Sequence, residues 1–272
     1  MNEYPKTLFY MIDILCNEKC SKCSHWKYDS QRTFYDMNKL RNYINSIESL
    51  EEFVIVGGEP LIYRDDILEI LSAIRFDIKT TIITNGVLAT KEFIDVASKY
   101  NIHFVFSIDT INKEFWKFIR GKDTYDIVMK NFNYALSKLK PEQLSIQSVL
   151  SEETKDYIEE VKAWAKSIGI YHGVQDYISD GFNGNWTVLE KPEVNGNEKC
   201  YAYLNNMSIM PNGDIYTCFQ QNLINDCEKP LGNIEHSKFN EIIDEDYFLN
   251  VIDKMKTCKL PCKVLKCNIE KS

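Results

Sequence analysis

Residues 8–23 read LFYMIDILCNEKCSKC, an apolar, strand-like run that is followed at once by three cysteines. Cys16, Cys20 and Cys23 have the spacing C-x3-C-x2-C. Thiolates this close along the chain are able to wrap one iron–sulfur cluster. A cubane cluster needs four ligands, so a loop with three cysteines leaves one iron open to a substrate or cofactor.

A zinc site and a chance grouping are the alternatives for these cysteines. C-x2-C pairs are common in zinc sites, and the chain contains nine cysteines. The spacing of the three cysteines favours a cluster over zinc. Disulfides are disfavoured because the sequence has no signal peptide, and a cytosolic chain keeps its thiols reduced.

A second motif, Gly57-Gly58-Glu59-Pro60, follows the apolar run FVIV at residues 53–56. With the cysteine triplet, it resembles the radical S-adenosylmethionine (SAM) enzymes. The resemblance implies that the three cysteines hold a 4Fe-4S cluster and that the methionine part of SAM chelates the open iron. It also implies that this segment meets the SAM amine through backbone carbonyls and the Glu. Glycines let a strand end approach a ligand closely.

Further segments follow in the order found in similar enzymes: Asn85 in TTIITNG, Ser107 and Asp109 in FVFSID, and Arg120 in IRG. The resemblance implies that the strand ends line the SAM ribose and carboxylate and that the arginine faces the carboxylate. Each residue alone is typical of an ordinary turn or a surface charge. Their order along one chain favours a shared site.

The chain departs from the family at the position before the third cysteine. This position is usually aromatic and packs near adenine, but here it is Lys22. Trp26 and His25, just past the loop, are the candidates to replace the aromatic side chain.

Hydrophobic periodicity predicts the fold class independently. Strand-like runs lie at about 8–15, 53–57, 79–84, 102–108, 143–150 and 169–177, with helical patterns between them. Such alternation predicts an α/β fold, a parallel sheet covered by helices. Ligands bind at the carboxyl ends of parallel strands, where all these motifs lie. We predict a partial (β/α)6, TIM-like barrel with a small C-terminal cysteine-rich hairpin and helix module.

The character of the chain changes after residue 180. Residues 179–199 are rich in Gly, Asn and charge and lack periodicity, which is typical of a long loop or linker. We therefore predict two domains, a radical SAM barrel at 1–180 and an auxiliary module at 181–272. The module begins with a predicted hairpin between Cys200 and Cys218, with its turn at Pro-Asn-Gly-Asp.

The hairpin and its flanking cysteines resemble a SPASM or twitch extension, which holds auxiliary iron–sulfur clusters. The resemblance implies that Cys200, Cys218, Cys258 and one of Cys262 or Cys267 bind one auxiliary cluster, of the 4Fe-4S type. Six cysteines are available where two complete clusters would need eight. Cys227 is then spare, and it is either a buried small hydrophobe or a reactive thiol.

Composition limits the partners. The formal charge of −8 and the lack of a basic stripe argue against a nucleic-acid partner. No apolar run approaches the roughly twenty residues of a membrane span. No transit or secretory segment precedes the first strand, and low-potential clusters need reducing conditions, so we expect a cytoplasmic protein with a flavodoxin- or ferredoxin-type reductant.

The resemblance implies that one electron cleaves SAM to methionine and a 5′-deoxyadenosyl radical, which takes a hydrogen atom from the substrate. Fifteen residues precede Cys16, too few for a leader-peptide recognition domain, and this favours a compact small-molecule substrate. The size and the single auxiliary cluster resemble the small dehydrogenases of sugars and aminocyclitols. We therefore expect an oxidoreductase that oxidises an alcohol.

Three alternatives stay open. An epimerase would need a hydrogen donor, for which Cys227 or Cys267 would serve. Peptide crosslinking or side-chain oxidation is the second alternative. The third is a protein that only transfers electrons or senses redox state, and this would leave the Gly-Gly-Glu-Pro segment without a role.

Substrate-facing residues are predicted at the ends of the fifth and sixth strands. The candidates for catalysis are Gln147 and Asp176, together with the spare Cys227. Their neighbours Ser148, Gln175 and Tyr177 also have groups that bind a hydroxyl or act as a base. His103 and His172 are predicted to be structural because their strand neighbours are apolar.

Overall fold

The chain folds as an α/β protein with a parallel sheet, as predicted. The computed structural model describes residues 4–177, 202–243 and 245–258. The first six strands are β1 (Thr7–Met11), β2 (Glu52–Val56), β3 (Lys79–Thr84), β4 (Ile102–Ser107), β5 (Leu144–Leu150) and β6 (Tyr171–Asp176). They pair in parallel in the order β6-β5-β4-β3-β2-β1. The predicted partial barrel is confirmed.

Helices connect these strands: α1 (Met37–Ser46), α2 (Arg64–Leu71), α3 (Lys91–Ala97), α4 (Lys113–Arg120), α5 (Tyr125–Lys138) and α6 (Lys155–Ser167). Two of them, α4 and α5, lie between β4 and β5. The short helix α4 is marked by its caps, since the Asn112 side chain accepts hydrogen bonds from the backbone N–H groups of Glu114 and Phe115. Gly121 ends it in a left-handed conformation.

Strand β1 is buried on both faces. Leu8 and Tyr10 belong to the main hydrophobic core. Phe9 and Met11 point the other way and form a second cluster that includes Val54 of β2. A parallel strand covered on both sides has a continuous apolar sequence rather than an alternating one, and this explains the unbroken run before the cysteines.

The C-terminal part extends the same sheet. It contains α7 (Ala202–Asn205), β7 (Asn206–Ile209), β8 (Asp214–Tyr216), β9 (Gly232–Asn233), α8 (Phe239–Ile243) and α9 (Asp246–Met255). Strand β7 pairs in parallel with β1 and antiparallel with β8, so the sheet of the described residues has nine strands. The predicted hairpin is present. Its first strand begins later than predicted, because residues 202–205 form a helical turn.

Several predictions lie outside the described residues. These are the boundary at 180/181, the linker at 179–199 and the cysteines Cys200, Cys262 and Cys267. In the part of the chain that is described, no helix combines the length and apolar character needed to cross a bilayer.

Candidate active site

A cavity of about 340 Å³ lies at the carboxyl ends of the strands. Its wall includes many predicted site residues: Cys16, Cys20, Cys23, Gly57, Gly58, Asn85, Ser107, Asp109, Arg120, Gln147 and Asp176. Glu59, Pro60, Trp26 and Cys227 are absent from the wall as it is described. The convergence expected at one end of the sheet is therefore seen for most of the motifs.

Asp13 anchors the start of the cysteine loop. Its carboxylate accepts hydrogen bonds from the backbone N–H groups of Ile14, at 2.7 Å, and Gln31, at 2.8 Å. The hydroxyls of Ser30, at 2.6 Å, and Tyr63 also donate to it. Burial alone would raise the pKa of Asp13, but these four donors together lower it, so the group is ionised. The aspartate within the apolar run MIDIL is a sequence signal for this anchor, and the sequence-based prediction missed it.

The Gly57–Gly58 pair fits against the chain that leads into the cysteine loop. The Gly58 N–H donates to the Asp13 carbonyl at 2.9 Å. A Cβ on Gly58 would lie 2.1 Å from the Ile14 carbonyl oxygen, and one on Gly57 would lie 2.2 Å from that of Asp13. The glycines are thus required by contact with this neighbouring segment, whereas the sequence suggested contact with a ligand.

Glu59 is buried behind the cavity wall. Its Oε1 accepts hydrogen bonds from the Thr84 hydroxyl at 2.7 Å and the Leu61 N–H at 3.0 Å, and its Oε2 accepts from the Asn85 N–H at 2.7 Å. Burial raises the pKa of Glu59 to about 7, although the donors oppose the shift. This carboxyl fixes the end of β3, and its predicted contact with the SAM amine stays a prediction.

Asn85 connects β3 to the cysteine loop. Its side-chain Nδ2 donates to Asn17 Oδ1 at 2.7 Å and lies 3.9 Å from Cys16 Sγ. Its Oδ1 accepts from the Val87 N–H at 3.0 Å. The side chain therefore aligns the first cysteine with the strand end, rather than serving only as the turn residue that Asn-Gly suggests.

Arg120 and Asp109 form a buried ion pair on the wall, with Nη2 and Oδ2 2.9 Å apart. Arg120 also donates to the Ser107 carbonyl, and Asp109 Oδ1 accepts from the Val149 N–H at 2.8 Å. Burial opposes the charge on Arg120, but Asp109 and Cys20 raise its pKa. Its Nε has no hydrogen-bond partner among the described residues. The predicted contact with the SAM carboxylate stays a prediction.

The C-terminal end of α4 supports the cysteine loop. The Lys19 N–H donates to the Arg120 carbonyl at 3.1 Å, and the Ser21 N–H donates to that of Ile119 at 2.9 Å. Gly121 has a φ of +68°, and a Cβ there would lie 2.2 Å from the Lys19 carbonyl oxygen. The IRG run thus supplies backbone contacts that the sequence alone did not indicate.

The three loop cysteines have the donor chemistry of a cluster site. All three line the cavity, and Cys16 and Cys20 lie beside the Asn85 and Arg120 side chains respectively. Burial raises the pKa of Cys16 to about 12, so the free thiol is protonated at neutral pH and a bound cluster would displace that proton.

The arrangement of the described His, Cys, Asp and Glu side chains bears on the choice between a cluster and a single metal ion. No group of three His, Cys, Asp or Glu in the described ranges is arranged to hold one metal ion. A cubane gives each cysteine a different iron, so its ligands need not converge on one point. The arrangement fits a 4Fe-4S cluster better than mononuclear zinc.

Lys22 points away from the cysteine loop towards the opposite side of the cavity. We call this side, which is formed by residues of β5 and the end of β6, the far wall. Its Nζ lies 2.7 Å from Glu153 Oε1 and 5.3 Å from the centre of the Tyr177 ring. Of the two residues predicted to replace the missing aromatic, His25 is on the wall. Trp26 packs beneath the loop and donates from Nε1 to the Cys20 carbonyl at 3.2 Å.

The far wall carries the predicted substrate-facing residues. Gln147, Gln175, Asp176 and Tyr177 line it. Ser148 is buried behind the wall, where it donates to the Ile108 carbonyl and lies 2.8 Å from His172 Nε2. His103 bonds to the Glu142 carbonyl and to Ser145, both at 2.8 Å. Neither histidine is among the residues of the wall.

The described C-terminal cysteines lie elsewhere. Cys227 is fully buried in the main core, and burial raises the pKa of its thiol. Cys218 and Cys258 are partly buried and pack against the same core. Gln221 joins the segments by accepting from the Thr217 N–H at 2.8 Å and donating to the Cys227 carbonyl at 3.1 Å. Cys227 is thus placed as a core residue, and this geometry gives its predicted catalytic role no support.

Two family models match separate parts of the chain. Residues 14–165 match the model of the Radical SAM superfamily, and residues 200–268 match that of the SPASM iron–sulfur cluster-binding domain. The chain is 29% identical over 178 residues to the radical SAM cyclopropyl synthase TigE of Paramaledivibacter caminithermalis, over 57% of this chain and 37% of TigE. It spans less than half the length of the curated relatives it matches.

Solved structures share the fold. SuiB of Streptococcus suis bound to S-adenosylmethionine has a TM-score of 0.75 at 19% identity, over 96% of this chain and 73% of SuiB. BtrN in complex with AdoMet and 2-DOIA has a TM-score of 0.60 at 14% identity, over 100% of this chain and 98% of BtrN.

The superfamily model covers residues 14–165, which is 152 of the 272 residues. The chain therefore belongs to the radical SAM superfamily, with a 4Fe-4S cluster and SAM as cofactors and a SPASM-type module for an auxiliary iron–sulfur cluster.

Proposed function

We propose that this enzyme is a dehydrogenase that oxidises an alcohol of a compact, polar substrate, such as a sugar or an aminocyclitol. The observation that carries the proposal is the far wall, where Gln147, Gln175 and Asp176 line the same cavity as the loop cysteines. Amide and carboxylate groups suit a substrate with several hydroxyls or an amine. The cavity of about 340 Å³ suits compact ligands.

We assign the first cluster to Cys16, Cys20 and Cys23. When bound, this cluster and SAM supply a 5′-deoxyadenosyl radical that takes a hydrogen atom, and the auxiliary cluster supplies an acceptor for the remaining electron. Gly58 and Asn85 hold the cysteine loop against the strand ends. Oxidation of an alcohol to a ketone also releases a proton, and the exposed Asp176 carboxylate is the group we assign to accept it.

The auxiliary cluster is assigned to the C-terminal module. Cys218 and Cys258 pack against one core, and Cys200 with Cys262 or Cys267 would complete the ligand set. An epimerase would use a thiol in place of an electron acceptor. Of the two candidates for that thiol, Cys227 lies in the described part of the chain. It is buried in the core and does not line the cavity, and this favours oxidation over epimerisation.

Peptide modification is the second candidate. It is favoured by the likeness to SuiB, whose structure was also solved with the precursor peptide SuiA, and to anSMEcpe, whose structure was solved with the Cp18Cys peptide. An aromatic surface on α4 and α6 also supports it, because Phe115 stacks on Tyr157 at 4.2 Å and Phe118 is 58% exposed. Such a surface suits an extended peptide that inserts one side chain into the cavity.

The deciding experiment combines two assays of the anaerobically reconstituted enzyme. The first measures iron and electron paramagnetic resonance (EPR) in a variant with Cys16, Cys20 and Cys23 all changed to Ala. About four irons should remain if the module holds one 4Fe-4S cluster. Loss of all iron would contradict the assigned electron acceptor.

The second assay incubates the wild type with SAM, a chemical reductant and either aminocyclitols or peptides. A ketone formed with one 5′-deoxyadenosine per turnover would support dehydrogenation. Deuterium incorporated from heavy water without net oxidation would support epimerisation instead. Turnover of peptides alone would favour the second candidate.

A further inference from the structure

Lys22 and Glu153 connect opposite sides of the cavity. Lys22 lies in the loop after β1, next to Cys23, and Glu153 lies in the turn between β5 and α6. Their Nζ and Oε1 atoms are 2.7 Å apart. Strands β1 and β5 are separated in the sheet by β2, β3 and β4, so the ion pair spans the cavity between them.

Hydrogen bonds within the β5–α6 turn hold Glu153 in place. The Ser151 hydroxyl donates to Glu153 Oε2 at 2.9 Å. The Ser151 N–H in turn donates to the Thr154 hydroxyl at 2.8 Å, and that hydroxyl donates to the Val149 carbonyl at 2.6 Å. The carboxylate that Lys22 meets is therefore fixed to the end of β5.

On the other side of the cavity, the cysteine loop and β5 are connected through the buried Arg120–Asp109 ion pair. The Val149 N–H donates to Asp109, and Asp109 pairs with Arg120. The Arg120 carbonyl accepts from the Lys19 N–H, which lies in the same loop as Lys22. These contacts close a ring of polar interactions around the cavity, from the cysteine loop through α4, β4 and β5 and back through Glu153.

The two ion pairs of this ring differ in exposure. The Arg120 and Asp109 side chains are 7% and 11% exposed, whereas those of Lys22 and Glu153 are 40% and 28% exposed. The Lys22–Glu153 pair is thus the link on the solvent side, and exposed ion pairs are weak enough to open on thermal fluctuation. We propose that the Lys22–Glu153 pair is a gate that ligands open to enter or leave the cavity.

This gate makes Lys22 and Glu153 positioning residues. The open pair releases the cysteine loop from the β5–α6 turn, and the closed pair blocks passage to the same extent whether or not a ligand is bound. A gate changes the rates of entry and exit by the same factor and leaves affinity unchanged. A residue that only contacts the ligand changes the exit rate and the affinity together.

The experiment uses SAM alone as the probe, with reconstituted protein whose clusters stay oxidised so that SAM is not cleaved. Association and dissociation rates of isotopically labelled SAM are measured by rapid filtration for the wild type, Lys22→Met, Glu153→Gln and the double variant. Glu159→Gln is the matched control, because it breaks the exposed Lys162–Glu159 pair of 3.4 Å on α6, and neither residue lines the cavity. The inference needs only SAM binding, so it is tested separately from the proposed dehydrogenation.

We expect both rates to rise up to about fivefold in each single variant, since an exposed ion pair holds its partners only weakly. The double variant should match the singles, and high salt should raise the wild-type rates towards the same values. The control should behave as the wild type. Unchanged rates, additive effects or a faster exit with unchanged entry would each overturn the gate.

Discussion

Gly121 lies so close to Lys19 that a Cβ on the glycine would lie 2.2 Å from the lysine's carbonyl oxygen. The same glycine has a φ of +68°, which side chains rarely adopt. Because Lys19 lies between Cys16 and Cys20, we predict that Gly121→Ala displaces the cysteine loop. Most of the iron of the SAM-binding cluster should be lost, which the SAM-sensitive EPR signal and iron per chain measure.

Gly169 provides the matched control for this substitution. Its φ is +73°, but a Cβ there meets nothing within 4 Å. Gly169→Ala should cost only the strain of the left-handed conformation, about 1–2 kcal/mol, and should retain its iron. If both variants keep their iron, the contact with Lys19 does not place the loop.

The buried Arg120–Asp109 pair should contribute more to the free energy of unfolding than an exposed ion pair does. Removing one partner leaves a buried charge without compensation, so Arg120→Met should lower the free energy of unfolding by about 3–5 kcal/mol. Lys113→Met breaks the exposed Lys113–Asp126 pair and should lower the free energy of unfolding far less, because solvent screens that pair. Chemical denaturation under anaerobic conditions compares them, and similar losses would contradict the role of burial.

Glu59 should make stability depend on pH. Its pKa is about 7 in the folded chain against 4.5 for the free group, so the folded state holds this proton more tightly. The stability contributed is complete below about pH 4.5 and is lost as pH rises to about 7. This loss amounts to about 3 kcal/mol.

Glu59→Gln removes the ionisable group, so the free energy of unfolding of the variant should change less between about pH 4.5 and pH 7. The variant should be less stable than the wild type below about pH 4.5, because the amide cannot accept all three hydrogen bonds, and this difference should shrink as the pH rises to about 7. Melting temperatures between about pH 4.5 and pH 7.5 test this. A variant whose melting temperature falls with pH as steeply as the wild type would assign the dependence to another group.

The cysteines of the C-terminal module should separate into two kinds. In the variant that lacks the three loop cysteines, a further Cys218→Ala should remove the remaining iron. A further Cys227→Ala should keep that iron and lower stability by about 1 kcal/mol, as expected when one buried heavy atom is deleted. Iron loss in the Cys227 variant would make this residue a ligand.

The sheet and the location of the cavity follow from sequence patterns because parallel strands have local signals. Apolar runs mark the strands, and the carboxyl ends of such strands meet at one edge of the sheet. Cys16, Asn85 and Asp109 could therefore be assigned to one site before any contact was known.

Contacts between distant segments have no comparable signal. The Lys22–Glu153 pair and the hydrogen bonds to Asp13 join residues whose partners are set by tertiary packing. Gly58 carried a sequence signal, but that signal did not say whether the glycine approaches a ligand or another strand. The turn at Ala202–Asn205 reads as part of a strand because it runs directly into the alternating residues Asn206–Ile209. The boundary is set by the pairing of β7 with β1, which the sequence does not show.

Pairing between β1 and β7 sets an order of assembly. Tyr4 donates through its hydroxyl to the Asn206 carbonyl, 202 residues further along the chain. During synthesis, β1 remains an edge strand on one side until β7 has emerged, and contacts of such long sequence separation form slowly. The strand that leads into the cysteine loop therefore gains its second neighbour only after the C-terminal part has been synthesised, and we expect stable insertion of the first cluster to follow that step.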